Sequence, residues 1–533
     1  MLKLTVIDDA GIQEIPFSPG PSVRTLLETA GIWIRCGCLG NGACGLCLIK
    51  IEDGVVKKPT KNECLLLSSG QLEKNIRLAC RVIPEHDLRI RIVEKASAFS
   101  WQTLDPHYLS FSPSPHRLVS AAQRAGSGLG LAVDVGTTHM SVSLWDLSNE
   151  KRLGAQVGPN PQSGYGADVV TRLIAAGQSC ETAEKLSQAP FESLKEAVRE
   201  MSTHHRIDPL DIIRVTIVGN TSMLALLTQE DPEIILNPRS WTQPITCSRD
   251  ITAYCTNILG IHPQAIVTVV QPLAGFIGSD LLAGVIATSL TKRPGELLID
   301  FGTNSEMALW DGTTLWIASA AGGPAFESFE TQCAMPADPG AIYQVDRLKK
   351  SGTLRFNVIG NRRAVGICGS GLVDLIAELL GCGELTPTGK MPRASTDGFV
   401  VQHTGPPIRL TLKDVDMFQR AKAGIGASVA QLLDRAHMSS RDIRRMYVCG
   451  IFGHYLNISN AQRIGLLPDI PVDRVHLCGN TALSGCEHML LSRSGTRREN
   501  SIRQHTRIVN LTESPDFEKV FLNCLYLQRT STQ

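Results

Sequence analysis

The sequence has almost no net charge. Its 52 basic and 51 acidic residues leave +1 over 533 positions. An electrostatic case for a nucleic-acid or membrane-surface partner needs a strong imbalance, so neither partner is expected. Aromatic residues are scarce, at 5%. A long uninterrupted apolar run is missing too. The most apolar stretch, Pro272–Leu290, is broken by Ser279, Asp280 and three glycines, which predicts a buried helix and not a membrane span. The first residues, Met1-Leu2-Lys3-Leu4-Thr5-Val6-Ile7-Asp8-Asp9, turn acidic before any long apolar segment, unlike a signal peptide. The paired C-x2-C pattern of a zinc site is absent, since one C-x2-C stands with scattered partners. What remains is ordinary for globular proteins: 43% hydrophobic and 19% charged residues. The length predicts several domains.

Cysteine is present in quantity, and its placement carries information. Of sixteen cysteines, Cys36, Cys38, Cys44, Cys47, Cys64 and Cys80 lie in the first 80 positions and the rest are scattered. The stretch Arg35-Cys36-Gly37-Cys38-Leu39-Gly40-Asn41-Gly42-Ala43-Cys44-Gly45-Leu46-Cys47 gives C-x5-C-x2-C, with Cys80 33 positions after the third cysteine. Four converging thiolates suit a 2Fe–2S cluster. Glycines at 40, 42 and 45 let the chain pass close to the sulfurs and turn N–H groups toward them. The spacing is one residue longer than the plant-type C-x4-C-x2-C. Cys36 is an extra thiol that could replace Cys38 as first ligand; Cys38 is preferred because Cys36 would leave seven residues before Cys44. Buried or zinc-bound cysteines are the alternative reading. A cluster protein with scattered thiols belongs in a reducing compartment, which predicts a cytoplasmic location.

Residues 1–95 read as one domain. Leu2–Ile7 and Ile12–Phe17 flank a hairpin turn at Asp8-Asp9-Ala10-Gly11. Ser22 can cap a helix bearing Val23, Leu26, Leu27 and Ala30. Strands at Leu48–Val56 and Asp87–Val93 complete a β-grasp, ferredoxin-like unit. Residues 96–128, rich in Ser, Pro, His and Gly, read as a linker with a short helix at Leu118–Arg124.

Beyond the linker a device occurs twice. Leu131-Ala132-Val133-Asp134-Val135-Gly136-Thr137-Thr138 and Leu297-Leu298-Ile299-Asp300-Phe301-Gly302-Thr303-Asn304-Ser305-Glu306 each run an apolar strand into Asp-x-Gly-Thr. Such turns offer N–H and hydroxyl groups to phosphates, and the Asp can hold a metal ion or its waters. Two ordinary hairpin turns are the plain alternative. The pair resembles the phosphate motifs of the acetate kinase/sugar kinase/Hsp70/actin superfamily, in which two α/β lobes grip ATP and a divalent cation. Asn160-Pro161-Gln162, Gly219-Asn220-Thr221, Gly275–Asp280, Gly322-Gly323-Pro324-Ala325-Phe326-Glu327, Cys368-Gly369-Ser370-Gly371, Cys449-Gly450 and Gly479-Asn480-Thr481 fit that plan in order. Singly, each is a common strand–helix turn. The expected fold class is therefore α/β multidomain, with the ferredoxin-like domain (1–95), the linker (96–128), a first part of the ATPase-like region (129–210) and a C-terminal, actin-like or Hsp70-like two-lobed ATPase domain (211–533). The basic stretch with Arg493, Arg497, Arg498 and Arg503 is expected to be solvated, with a short strand at Val520–Leu527.

The combination of cluster loop, linker and ATPase motifs resembles the reductive activators of corrinoid-dependent methyltransferases. The resemblance runs from the cysteine loop to Gly479-Asn480. It implies an ATP-dependent enzyme that takes an electron from a low-potential donor and reduces Co(II) to Co(I) on a corrinoid protein. Clusters of this type sit near about −400 mV, and each ~59 mV of one-electron mismatch costs tenfold in equilibrium, so coupling to a nucleotide has a physical purpose. The resemblance assigns the cluster to Cys38, Cys44, Cys47 and Cys80. It assigns ATP to Asp134, Gly136, Thr137, Thr138, Asp300, Gly302, Thr303, Asn304 and Gly450, with Asp134 and Asp300 near Mg²⁺. Asp168 is the candidate for orienting the attacking water, and a helix-terminus acid is its plain reading. A homodimer is the expected assembly. Leu39 departs from the family's usual glycine, and Cys36 is additional. Two other functions stay open: activation of another low-potential enzyme, and a redox-sensing docking protein with an inert ATPase fold.

Overall fold

The architecture was read from a computed structural model of the full chain. The described residues are 2–8, 11–30, 32, 34, 47–67, 69–93, 101–104, 109, 111 and 128–530, the last span less 167, 244, 303, 321–332, 336, 338, 348–352, 393–397, 403–407, 451, 453–454, 493–494, 512–513 and 515. Cys36, Cys38, Cys44, Thr303, the Gly322–Glu327 loop and the helix expected at Leu118–Arg124 lie outside them.

The front of the chain folds as the alternation of its residues dictates. Leu2–Asp8 pairs antiparallel with Gly11–Phe17 and parallel with Leu88–Ile92. The sheet continues through Leu48–Asp53 to Ile76–Leu78. Leu88–Ile92 buries every second residue, the period of a sheet with one covered face. The helix Val23–Thr29 starts at Ser22, whose side chain accepts from the Thr25 N–H. It covers the sheet with Val23, Leu26 and Leu27.

Two six-stranded sheets follow, and they are copies of one plan. The first runs Ile266–Val269, Ile212–Gly219, Leu129–Val135, His139–Asp146, Lys151–Pro159, Gln102–Thr103. The second runs Val475–Gly479, Arg445–Gly450, Glu296–Phe301, Ser305–Trp310, Leu315–Ala320, Thr506–Ile508. In each, the strand that ends in Asp-x-Gly-Thr is central. It pairs antiparallel with the strand after it and parallel with one much later in the chain. Leu129–Val135 is buried at all seven positions, Asp134 included, as the apolar run Leu129–Val133 requires of a strand covered on both faces. Because Ile212–Gly219 pairs with Leu129–Val135, the division expected after residue 210 passes through the first sheet.

The lobes are joined by two helices that cross between them. Ser279–Thr288 closes the first lobe and Thr481–Leu491 the second, and both are buried over most of their length. Ser279–Thr288 lies in Pro272–Leu290 and is a buried helix, as its interrupting polar residues predict. No helix among the described residues is long and apolar enough to cross a membrane.

Three expectations change. The basic stretch after Leu491 forms the helix Gly495–His505, and its arginines cap carbonyls: Arg498 donates to Ile286 O and Ser289 Oγ at 3.1 Å, Arg503 to Pro272 O at 2.8 Å and to Gln271 O. Charge alone suggested solvation, but guanidinium groups satisfy orphan carbonyls at a helix end as readily as water does. The expected strand at Val520–Leu527 is the helix Phe517–Cys524. Its Val520-Phe521-Leu522 run suits a strand locally, but packing on the helix Leu412–Arg435 decides. Lys422 of that helix holds the end of it, donating to Cys524 O and, at 2.9 Å, to Tyr526 O. The described part of the segment read as a linker is packed: Trp101 is buried with Nε1 donating to Ser193 O, and Phe111 meets Tyr447 edge-on.

Candidate functional site: a cysteine pair and an acidic cleft

Leu48 pairs with Leu78, so Cys47, one residue before the first, and Cys80, two residues after the second, come together. Their sulfurs are 3.4 Å apart and buried. That is far beyond a disulfide, about 2.05 Å. It is close to the separation of two thiolates on one tetrahedral metal, roughly 3.8 Å for bonds of ~2.3 Å. Ala79 N–H donates to Cys47 O, tying the backbone beside the two cysteines. The strand before Cys80 is pinned by a buried ion pair. Glu63 accepts from Arg77 Nε and Nη2 at 2.9 Å, from Thr60 N and from Leu78 N. Burial would raise Glu63, yet Arg77 and the two N–H donors hold it below the usual carboxylate range. Of the four expected ligands, Cys47 and Cys80 are brought together, and this pair fits an iron–sulfur cluster.

The first phosphate-type turn is anchored through its carbonyls. Gly136 O accepts from Asn160 Nδ2 at 2.8 Å, Thr137 O from Arg172 Nη1 at 2.7 Å, and Thr138 O from Asn160 N at 2.8 Å. Asn160 and Arg172 are buried. Holding a turn by its carbonyls is what an anion site requires, since N–H groups are what a phosphate takes. In the second lobe, Asp300 pairs with Cys449 and Phe301 with Gly450. Gly450 has φ +76°, and a Cβ there would stand 2.5 Å from Asp300 Oδ1. Glycine is demanded twice, by conformation and by space.

The two Asp-x-Gly-Thr aspartates meet a third and a fourth carboxylate. Burial and then Asp280 push Asp134 up to about 8, with the Asn480 amide opposing and Asp300 adding. Burial and Asp280 raise Asp300 to about 7, and burial raises Asp280 to about 6. Glu306 rises well above the normal range through burial, Asp280 and Asp300. Asn480 Nδ2 bridges Asp134 Oδ2 and Ser141 Oγ at 3.2 and 3.1 Å. Among the described residues, Ser305 Oγ, Glu306 Oε1 and Thr481 Oγ1 are buried without a partner. Buried carboxylates repel one another unless a cation neutralises them. Among the described residues no three of these side chains close into a ready-made metal site, so a hard divalent ion held here would take phosphate or water oxygens for the rest of its shell.

Asp168 stands at the start of the helix that carries Arg172. Its carboxylate accepts from Thr171 N at 2.9 Å and caps the helix Val169–Gln178. Asp280, Glu306 and Asn480 were not picked out as site residues from the sequence. Asp280 reads there as an ordinary first-turn acid of an apolar helix, and only the fold brings it into electrostatic reach of Asp134 and Asp300.

Three family models match in sequence. The 2Fe-2S iron-sulfur cluster binding domain matches residues 7–85, the RACo middle region residues 129–293, and the C-terminal, ASKHA domain of RACo residues 295–533. The corrinoid activation enzyme RamQ of Eubacterium limosum is 29% identical over 425 residues, 74% of this chain and 69% of that one. The Co(II) methylated amine-specific corrinoid protein reductase of Methanosarcina barkeri is 28% identical over 395 residues, 68% of this chain and 70% of that one. A solved structure of a reductive activator for corrinoid,iron-sulfur protein superposes with a TM-score of 0.66 at 26% identity, covering 100% of this chain and 99% of that one.

Proposed function

The chain belongs to the RACo family of reductive activators of corrinoid proteins, and on that premise we propose that it uses ATP to reduce the Co(II) corrinoid of a partner protein to Co(I). One electron enters from a low-potential donor and leaves to the partner's cobalt. The observation that carries this reading is the pairing of Cys47 and Cys80 sulfurs at 3.4 Å in a ferredoxin fold fused to two copies of a phosphate-turn lobe.

Cys38, Cys44, Cys47 and Cys80 would hold the cluster, whose chemistry is one-electron transfer at low potential. The nucleotide would lie between the turns, with Gly136, Thr137 and Thr138 on one side and Gly302, Thr303 and Asn304 on the other. Gly450 gives room beside Asp300. Asp134 and Asp300 would take Mg²⁺, which supplies positive charge to the phosphates when bound. Asp280 is better placed than Asp168 to orient water, because it interacts with Asp134, Asp300 and Glu306 while Asp168 is committed to its cap. In domain terms, 1–95 is the redox unit, 96–128 the connection, which lends the edge strand Gln102–Thr103 to the first lobe, 129–294 the rest of that lobe and 295–533 the second.

The test uses the reduced, cluster-loaded protein with a Co(II) corrinoid protein. Cobalt is followed by absorbance with and without MgATP. ATP-dependent appearance of Co(I) supports the proposal. No Co(I) with any corrinoid protein, while nucleotide still binds, overturns it.

A further inference from the structure

The loop that buttresses the first phosphate turn also touches the ferredoxin domain. Residues Asn160–Gly166 lie between the two. On one side, Asn160 and Arg172 hold the carbonyls of Gly136, Thr137 and Thr138. Arg172 also ties the loop to the turn, since its Nε donates to Gly166 O at 2.7 Å. Gln162, fully buried, fastens the loop to the lobe: its N–H donates to Asn160 Oδ1 and its Nε2 to Leu186 O. On the other side, Gly164 O accepts from Arg24 Nη2 of the ferredoxin helix at 3.4 Å.

Arg24 is not an incidental surface group. It is 6% exposed, and its Nε is held by Glu28 at 2.6 Å. Its own N–H donates to Ala79 O, and the neighbouring Val23 N–H to Val82 O. Those two carbonyls bracket Cys80. Next to Gly164, burial pushes the Tyr165 phenol up, Lys185 offsets this and the Glu28 carboxylate adds to it, so Glu28 too faces the loop.

We propose that loop Asn160–Gly166 is the docking surface for the ferredoxin helix Val23–Thr29, and that through Arg172 and Arg24 it joins the nucleotide turn to the backbone around Cys80. Arg172 and Arg24 are positioning residues in this scheme. The first sets the turn, and the second reports the loop's position to the segment carrying a cluster ligand. The proposal rests on the nucleotide reading of the Gly136–Thr138 turn given above. A nucleotide shifts such an equilibrium only by binding one arrangement better than the other. The turn is where that difference would arise, because phosphate contacts and the Asn160 and Arg172 bonds act on opposite groups of the same three peptides.

The experiment is hydrogen exchange on the full-length, cluster-loaded protein, with and without MgADP, alongside calorimetric titration of MgADP. In the wild type, nucleotide is expected to change exchange at 160–166 and also at 22–30 and 79–82, by about fivefold or more. In Arg24→Ala, nucleotide affinity and the change at 160–166 persist, while the change at 22–30 and 79–82 is lost. Arg24→Lys, which keeps a cationic donor, recovers part of it. If nucleotide binds and residues 22–30 do not respond, or if Arg24→Ala leaves their response intact, the coupling is overturned and the nucleotide site stands. If MgADP does not bind at all, both fall.

Discussion

Gly485 of one crossing helix lies directly on the backbone of Ala283 of the other; a Cβ at 485 would stand 2.6 Å from Ala283 Cα. The helices that join the lobes therefore touch backbone to backbone, and Asp280 in the first turn of one and Asn480 at the cap of the other keep their places only while that crossing holds. Gly485→Ala forces the helices apart, because backbone cannot rotate out of the way. Overpacking of this kind costs about 1–3 kcal/mol. The expected result is a lower denaturation midpoint together with weaker MgADP binding, read by chemical denaturation and calorimetry.

A second tie between the crossing helix and the first lobe is ionic. Arg152 Nε and Nη2 donate to Glu487 Oε1 and Oε2 at 2.8 and 2.7 Å, and Glu487 is fully buried. Arg152 also stacks on Trp145, 5.3 Å from the ring centre. Arg152→Met leaves the carboxylate buried without its bidentate partner, and such changes cost about 3–5 kcal/mol. Adding Glu487→Leu should return much of that loss, since both charges are then gone. A double-mutant cycle on thermal or chemical denaturation checks it, and a double variant no more stable than Arg152→Met would contradict it.

How far these relationships can be read without coordinates depends on the range of the interaction. The apolar strands ending in Asp134 and Asp300 are local patterns, and they became the central strands of two matching sheets. Ser22 as a cap and the early strands are local too. Asp280 and Asn480 gained their positions only through helix crossing, 146 and 346 residues from Asp134 in the chain, and no local pattern encodes that. The helix Phe517–Cys524 shows the converse, where tertiary packing on Leu412–Arg435 overrode a strand-like run.

The acidic cleft sets a pH dependence whose sign follows from protons. Asp134 and Asp300 have ordinary values of 3.8 when unfolded and rise to about 8 and about 7 when folded, chiefly by burial. The native state thus binds more protons between those limits. Their contribution to stability is full below pH ~4 and is lost as pH rises through about 7 and 8. A protonated carboxyl does not ligate a divalent ion, so cation affinity must move the other way and increase from pH 6 to 8. Without divalent ions, the midpoint should fall over that range, and Mg²⁺ or Mn²⁺ should restore it. Asp134→Asn should flatten the slope and abolish most Mn²⁺ binding by electron paramagnetic resonance. A slope unchanged in Asp134→Asn would contradict the assignment.

The front of the chain holds six cysteines, two more than a four-thiolate cluster needs; Cys64 is exposed on the helix Lys61–Leu66, and the sulfurs already paired decide what each substitution does. Cys47 and Cys80 face each other at 3.4 Å with backbones locked by Ala79 N–H and by Glu63 on Leu78 N–H. On the proposed ligand set, replacing either with alanine removes a sulfur whose place the surrounding fold fixes, and another thiol would have to displace that backbone to take its place. Cys47→Ala and Cys80→Ala should therefore lose the visible cluster absorption and most bound iron. Cys36 and Cys38 stand two positions apart in the glycine-rich sequence, and the proposed ligand set takes Cys38. Cys38→Ala should lower cluster content, while Cys36→Ala should leave iron, sulfide and the reduced-cluster signal at wild-type levels. The reverse order would move the first ligand to Cys36, and zinc in place of iron in the anaerobically purified protein would remove the cluster from the account.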